Sequence, residues 1–179
     1  MPARTGEQFL KGLRGPRDVW VDGEKVGDVV DHPRLRGAAH ALAEVYDLHH
    51  AQAATCLAPD PETGEPIPVS HLIPRSREDL ARRHAALREV AEYSVGLMGR
   101  TPDYMNVTYA GFAGRSDEWG AHGNEAGVER LVAYQKFLRR GDVALTHTIV
   151  QPTVDKATGD APSAGNAHAL RKVGETEHG

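Results

Sequence analysis

Apolar side chains recur along most of this chain at intervals of three and four, the spacing that gathers them on one face of an α-helix. The first such run is Phe9, Leu10 and Leu13. It follows Thr5-Gly6-Glu7-Gln8, a capping-box pattern in which Thr5 and Gln8 satisfy each other's backbone N–H groups, so a helix of about two turns is expected. Residues 18–21 and 24–29 are strand-like instead, and the Asp22-Gly23 between them readily takes the positive φ angles of a two-residue turn. That predicts a small β-hairpin. From Pro33 to about His49, the positions Leu35, Ala38, Ala39, Leu42, Val45 and Tyr46 make one apolar helical face, with Pro33 placed where a missing N–H costs nothing.

Residues 57–75 hold five prolines and no period, which predicts an extended loop covering something. Ser76, with Asp79 three residues on, caps what reads as the longest helix. Its expected buried stripe is Leu80, Ala81, Leu87, Val90, Ala91, Ser94, Val95 and Met98, with Gly99 as the left-handed residue that ends it. A further helix should start near Pro102 and run through Tyr104, Val107 and Ala110, and glycines at 111, 114, 120, 123 and 127 predict a loose stretch after it. Residues 129–138 read as helix stopped by Gly141. Beyond that point residues 143–150 are β-branched and alternating, 155–160 offer turn chemistry, and 170–173 could return as a second strand. The chain thus reads as mainly α: a helical domain over 1–141, then the opening strands of a β domain over 142–179. Reaching Gly179 just as strand-like sequence begins, it reads as the front part of something larger.

Composition narrows the function. Hydrophobic residues are 40% of the 179, which suits a globular chain, and a net charge of -4 with interspersed Lys and Arg leaves no basic face for tracking phosphates. Nucleic acid is not expected as a partner. The first residues lack an apolar leader core, and no later run approaches the roughly 18–20 apolar residues that cross a bilayer, so no membrane partner and a cytoplasmic home are expected. Cys56 is the single cysteine, which excludes an internal disulfide and any all-cysteine metal site, and points to a small buried apolar role. No helix carries His-x-x-x-His, and neither His49 with His50 nor His122 has a convincing ligand set, so no metal is expected.

Two segments could form the walls of one pocket: Gly99-Arg100-Thr101-Pro102-Asp103-Tyr104 and the run from Thr146 to Lys156. Arg100 after a helix end is either a cation that caps the dipole or a fixed guanidinium aimed at an anion or phenolate. Tyr104, four residues on, could face the same cleft. His147 between two threonines is either a satisfied strand histidine or, if its face is the inner one, a partly buried titratable group. The charges of residues 75–88 read as the solvated face of the long helix.

These residues meet a family. Arg4-Thr5-Gly6-Glu7-Gln8-Phe9 with Leu13, Val19-Trp20-Val21-Asp22-Gly23-Glu24, His32-Pro33, Tyr46-Asp47, Met98-Gly99-Arg100-Thr101-Pro102-Asp103-Tyr104 and His147-Thr148-Ile149-Val150-Gln151-Pro152-Thr153-Val154-Asp155-Lys156 occur in an order that resembles the N-terminal region of the 4-hydroxyphenylacetate 3-monooxygenase family, two-component flavin-dependent phenol hydroxylases. The resemblance implies an acyl-CoA dehydrogenase-like architecture of helical N-terminal domain, middle β-barrel and C-terminal helical bundle, with the barrel incomplete and the bundle absent here. It implies a phenolic substrate such as 4-hydroxyphenylacetate, hydroxylated next to its OH with O2 and reduced FAD from a separate flavin reductase, and a homotetramer where the bundle is present. By resemblance Arg100, Tyr104 and His147 are the catalytic positions, and His147, Thr148, Ile149, Thr153, Val154, Asp155 and Lys156 contact FAD. The 179-residue chain alone is expected to be inactive. The alternatives are a catalytically inactive remnant or interaction module, and a 4-hydroxybutyryl-CoA dehydratase-like protein, which the lack of cysteines near Arg100 disfavours.

Overall fold

A computed structural model describes residues 3–98, 102–120 and 124–147. The chain divides into two compact units, Met1–Thr146 and His147–Gly179. The first opens with α1, Gly6–Leu13, which starts where the capping box predicts: Thr5 accepts from the Gln8 N–H and the Gln8 side chain accepts from the Thr5 N–H. Strands β1, Trp20–Val21, and β2, Glu24–Lys25, pair antiparallel across Asp22 and Gly23, whose φ values of 53° and 82° are those of the predicted turn. Helix α2, Arg36–Ala51, lies against α1. Phe9 stacks on Tyr46 at 4.9 Å between ring centroids, and with Ala43 they form a core flanked by Leu10, Leu13 and Leu42. The close approach of the two helices depends on Gly6, where a Cβ would sit 2.5 Å from the Ala43 carbonyl oxygen.

The proline-rich stretch is more ordered than its sequence predicts. After a single turn, α3, Ala53–Cys56, strands β3, Leu57–Pro59, and β4, Pro66–Pro68, form an antiparallel pair, followed by a 3-10 turn, Val69–His71. Prolines are tolerated because this is a two-stranded ladder with open edges, where a missing N–H removes few bonds. Asp60 closes the loop by accepting from the N–H groups of Glu62 and Thr63, and Arg139 reaches its carboxylate at 2.7 Å. Cys56, Ala58, Val69 and Ala86 make a second small core. Cys56 is buried there, as its sequence suggested, and burial pushes its thiol up to about 11.

Helix α4, Arg77–Tyr93, begins in the predicted Ser76–Asp79 capping box. Its end and its buried face differ from expectation. It stops at Tyr93, left-handed Val95 and Gly96 follow, and Gly99 lies outside the described residues. Ala86 and Val90 are its buried positions, whereas Leu80 is 48% and Val95 83% exposed: the helix packs on a narrower stripe than its apolar residues span. Helix α5, Pro102–Gly114, α6, Ser116–Gly120, and α7, Glu125–Gly141, follow. The stretch expected to be loose is therefore largely helical through Gly120, because α5 packs on α7 and on the 3-10 turn and tertiary contact outweighs the poor propensity of glycine. The left-handed cap of α7 is Asp142, φ 43°, not Gly141. Residues 143–147 form no strand, since no described strand lies beside them to supply a ladder, and the remainder of the anticipated β segment lies outside the described residues.

Candidate active site

One face of α5 is built for the interior. Asp103, Asn106, Ala110 and Ala113 are buried at helical spacing, against α7 and the 3-10 turn. Tyr104, Val107 and Thr108 consequently lie on the adjoining face, where with Leu87, Val90 and Ala91 of α4 they line a pocket of about 340 Å³. Ser94 and Met98 extend the same wall. The Ser94 and Thr108 hydroxyls donate to carbonyls of their own helices, Ala91 at 3.3 Å and Tyr104 at 3.0 Å. The groove is largely apolar, and Tyr104, 39% exposed, is its aromatic member. Such a surface suits a planar ring with one hydroxyl.

Beneath it lies a network of buried polar side chains. His49 Nε2 of α2 donates to Asp103 Oδ2 at 3.2 Å, with the two side chains each 4% exposed. Burial pulls the His49 pKa down, but the Asp103 hydrogen bond and charge outweigh it and raise it above its ordinary value. Burial conversely pushes Asp103 up, yet the bonds and charge from His49, with Ser70 assisting, hold it below the usual carboxylate range. Asn106, one turn further along α5, donates to Ser70 Oγ at 3.3 Å. Alongside, His71 Nε2 stands 3.2 Å from Asp142 Oδ1, and Asp142 Oδ2 accepts from the Arg4 N–H at 3.0 Å. The Arg4 guanidinium donates to the Asp142 carbonyl and to Tyr46 Oη, and lies over the Tyr46 ring. Gln135 donates to the His71 carbonyl at 2.9 Å.

Of the residues singled out from sequence, Tyr104 is in the groove. His147 is exposed, in no regular element, and opens the second compact unit. Arg100, Thr148, Ile149, Thr153, Val154, Asp155 and Lys156 lie outside the described residues. The His49–Asp103 and His71–Asp142 pairs went unread in the sequence, because their partners are 54 and 71 residues apart and share no local motif. Among the described residues no group of three or more His, Cys, Asp or Glu is gathered to hold a metal ion.

The family described as "4-hydroxyphenylacetate 3-hydroxylase N terminal" matches residues 5–179. The chain belongs to this family. The oxygenase component of 4-hydroxyphenylacetate 3-monooxygenase from Thermus thermophilus is 35% identical over 181 residues, a match covering 99% of this chain and 36% of that protein. The chain thus spans little more than a third of the length of that curated relative. A crystal structure of such an oxygenase component, complexed with FAD and 4-hydroxyphenylacetate, superposes with a TM-score of 0.80 at 32% identity, over 98% of this chain and 36% of that one. An archaeal 4-hydroxybutyryl-CoA dehydratase from N. maritimus, 23% identical with a TM-score of 0.71, shares the fold. The N-terminal run of this chain has a structural meaning: Arg4 ties down Asp142, Thr5 caps α1, Gly6 admits α2 and Phe9 stacks on Tyr46. Those residues build the frame, and Tyr104 faces the groove.

Proposed function

We propose that residues 1–179 are the N-terminal portion of the oxygenase component of a two-component monooxygenase, which hydroxylates a phenol such as 4-hydroxyphenylacetate ortho to its OH. The observation that carries this reading is the apolar groove bearing Tyr104 in a chain of this family. In it the groove takes the substrate ring and the Tyr104 hydroxyl bonds the phenol oxygen. By the family resemblance Arg100 and His147 would stabilise phenolate character, which enriches the ortho carbon in electron density. His147, Thr148, Ile149, Thr153, Val154, Asp155 and Lys156 would hold FAD. The donor set fits such ligands, since a hydroxyl in an apolar wall and an exposed imidazole match an aromatic ring and a polar heterocycle. FAD, when bound, supplies the oxygen chemistry; this chain's residues bind, orient and exclude water.

The reading also includes a cytoplasmic home, a helical domain over 1–141, a barrel beginning over 142–179, a separate flavin reductase that delivers reduced FAD, and a tetramer where a C-terminal bundle is present. Turnover by these residues alone is expected to be negligible, because they match only 36% of the relative's length. The test is an anaerobic titration with reduced FAD, then with 4-hydroxyphenylacetate, for the wild-type chain and Tyr104→Phe. Saturable binding of the phenol, weakened about tenfold or more in Tyr104→Phe, supports the reading. Flavin absorption and tyrosine signals that stay unchanged would overturn it in favour of an inactive remnant or an interaction module. Catechol formed by the chain alone with reduced FAD and O2 would overturn the expected inactivity.

A further inference from the structure

The residue that lines the groove is the direct neighbour of a residue anchored in the interior. Asp103 and Tyr104 are consecutive in the first turn of α5, so their side chains leave the helix about 100° apart. Asp103 is 3% exposed and bound to His49 of α2, while Asn106 is 2% exposed and bound to Ser70 of the 3-10 turn. Two points one turn apart on the same face are therefore fixed to two different elements, which leaves α5 no freedom to rotate about its axis or slide along it. A buried ion pair is a poor way to gain stability, because desolvating both charges offsets most of their attraction. Apolar side chains would fill that space at less cost, but they would not fix one rotational setting.

We propose that the buried His49–Asp103 pair is a positioning element that sets the direction in which Tyr104 enters the groove between α4 and α5. His49 and Asp103 touch no substrate; they act through Tyr104, and their bearing on a phenol rests on the function proposed above. Truncating His49 leaves Asp103 in the interior without its α2 partner, and the first turn of α5 re-seats with Tyr104 attached. His49→Gln keeps a side-chain N–H that can reach the carboxylate. Val45→Ala removes a fully buried side chain from the same α2 helix while leaving His49 and Asp103 both present.

The test is 19F NMR of the chain labelled with 3-fluorotyrosine, the Tyr104 resonance being assigned by its loss in Tyr104→Phe. The expected result is a displaced or split Tyr104 resonance in His49→Ala, return to the wild-type position in His49→Gln, and no displacement in Val45→Ala despite its lower stability. A folded His49→Ala chain with an unmoved Tyr104 resonance overturns the proposal, as does equal displacement in Val45→Ala. Should His49→Ala fail to fold by circular dichroism, His49→Leu, which fills the space but offers Asp103 no donor, carries the same decision: displacement supports the proposal and none overturns it. Affinity for 4-hydroxyphenylacetate, measured alongside, is expected to fall about tenfold in His49→Ala and to recover in His49→Gln. If the wild-type chain binds no phenol, the groove's function fails on that arm, while the Tyr104 resonance still decides the positioning.

Discussion

At the scale of single residues, the frame depends on a position with no side chain. Gly6 sits where the backbones of α1 and α2 come together, and an added Cβ would meet Ala43 O at 2.5 Å and Asp47 Oδ2 at 2.6 Å. Asp47 can turn away, but the carbonyl belongs to α2 and cannot. Gly6→Ala is therefore expected to lower stability by about 1–3 kcal/mol, although alanine is the better helix former. Denaturant unfolding checks this, and an unchanged or raised midpoint would show that the helices can part at no cost. The glycine was legible in sequence only as part of a motif. Its reason was not, because the oxygen it accommodates is 37 residues away and nothing local marks the approach. Cys56 was simpler: a lone cysteine among apolar residues goes inside by size and polarity alone, and it is 1% exposed.

At the scale of elements, what was local in sequence was readable and what was distant was not. Both capping boxes and the Asp22-Gly23 turn formed as their residues dictate, since each is completed within four residues. Helix ends that depend on tertiary contact escaped: α4 stops at Tyr93 and α7 is capped by left-handed Asp142, whose side chain and carbonyl hold Arg4. The same distinction applies to the groove, where Tyr104 belongs to a local motif but the His49–Asp103 link joins residues 54 apart in the chain. That link predicts a pH dependence. His49 has a folded pKa raised above 6.5, so its contribution is fully present below that value and lost as pH rises through the folded pKa. Asp103 has a folded pKa depressed below 3.8, so its contribution is present above that value and lost as pH falls through the folded pKa. The stability difference between wild type and His49→Gln should therefore be greatest between about pH 4 and 6.5 and shrink on the alkaline side. Denaturant titrations at several pH values measure it, and a difference that stayed flat across pH 5 to 9 would mean the pair carries no charge.

At the scale of the whole first unit, its two ends are tied by one residue. Asp142 accepts through Oδ2 from the Arg4 backbone, through its carbonyl from the Arg4 guanidinium, and stands through Oδ1 beside His71, so the N-terminal arm, the 3-10 turn and the end of α7 meet at a side chain that is 2% exposed. Two separate demands fall on it. The backbone at φ 43° favours Gly, Asn or Asp, and the buried donors around it require an acceptor. The demands can be separated by substitution. Asp142→Asn keeps the left-handed tolerance and one acceptor oxygen but removes the charge. Asp142→Gly relaxes the backbone yet leaves His71 and the Arg4 N–H without their partner, and Asp142→Ala fails on both counts. The expected order of stability is therefore wild type, then Asn, then Gly, then Ala, with Ala losing about 3–5 kcal/mol because it strands buried partners. Because the contact joins residues 138 apart, its loss should lower the cooperativity of unfolding as well as the midpoint, with the N-terminal arm exchanging its amide hydrogens before α5 and α7 do. Hydrogen exchange on Asp142→Gly reads this directly. If α1 and α7 still lost protection together there, the closure would rest on the Phe9–Tyr46 stack instead, and Asp142 would be only a helix cap.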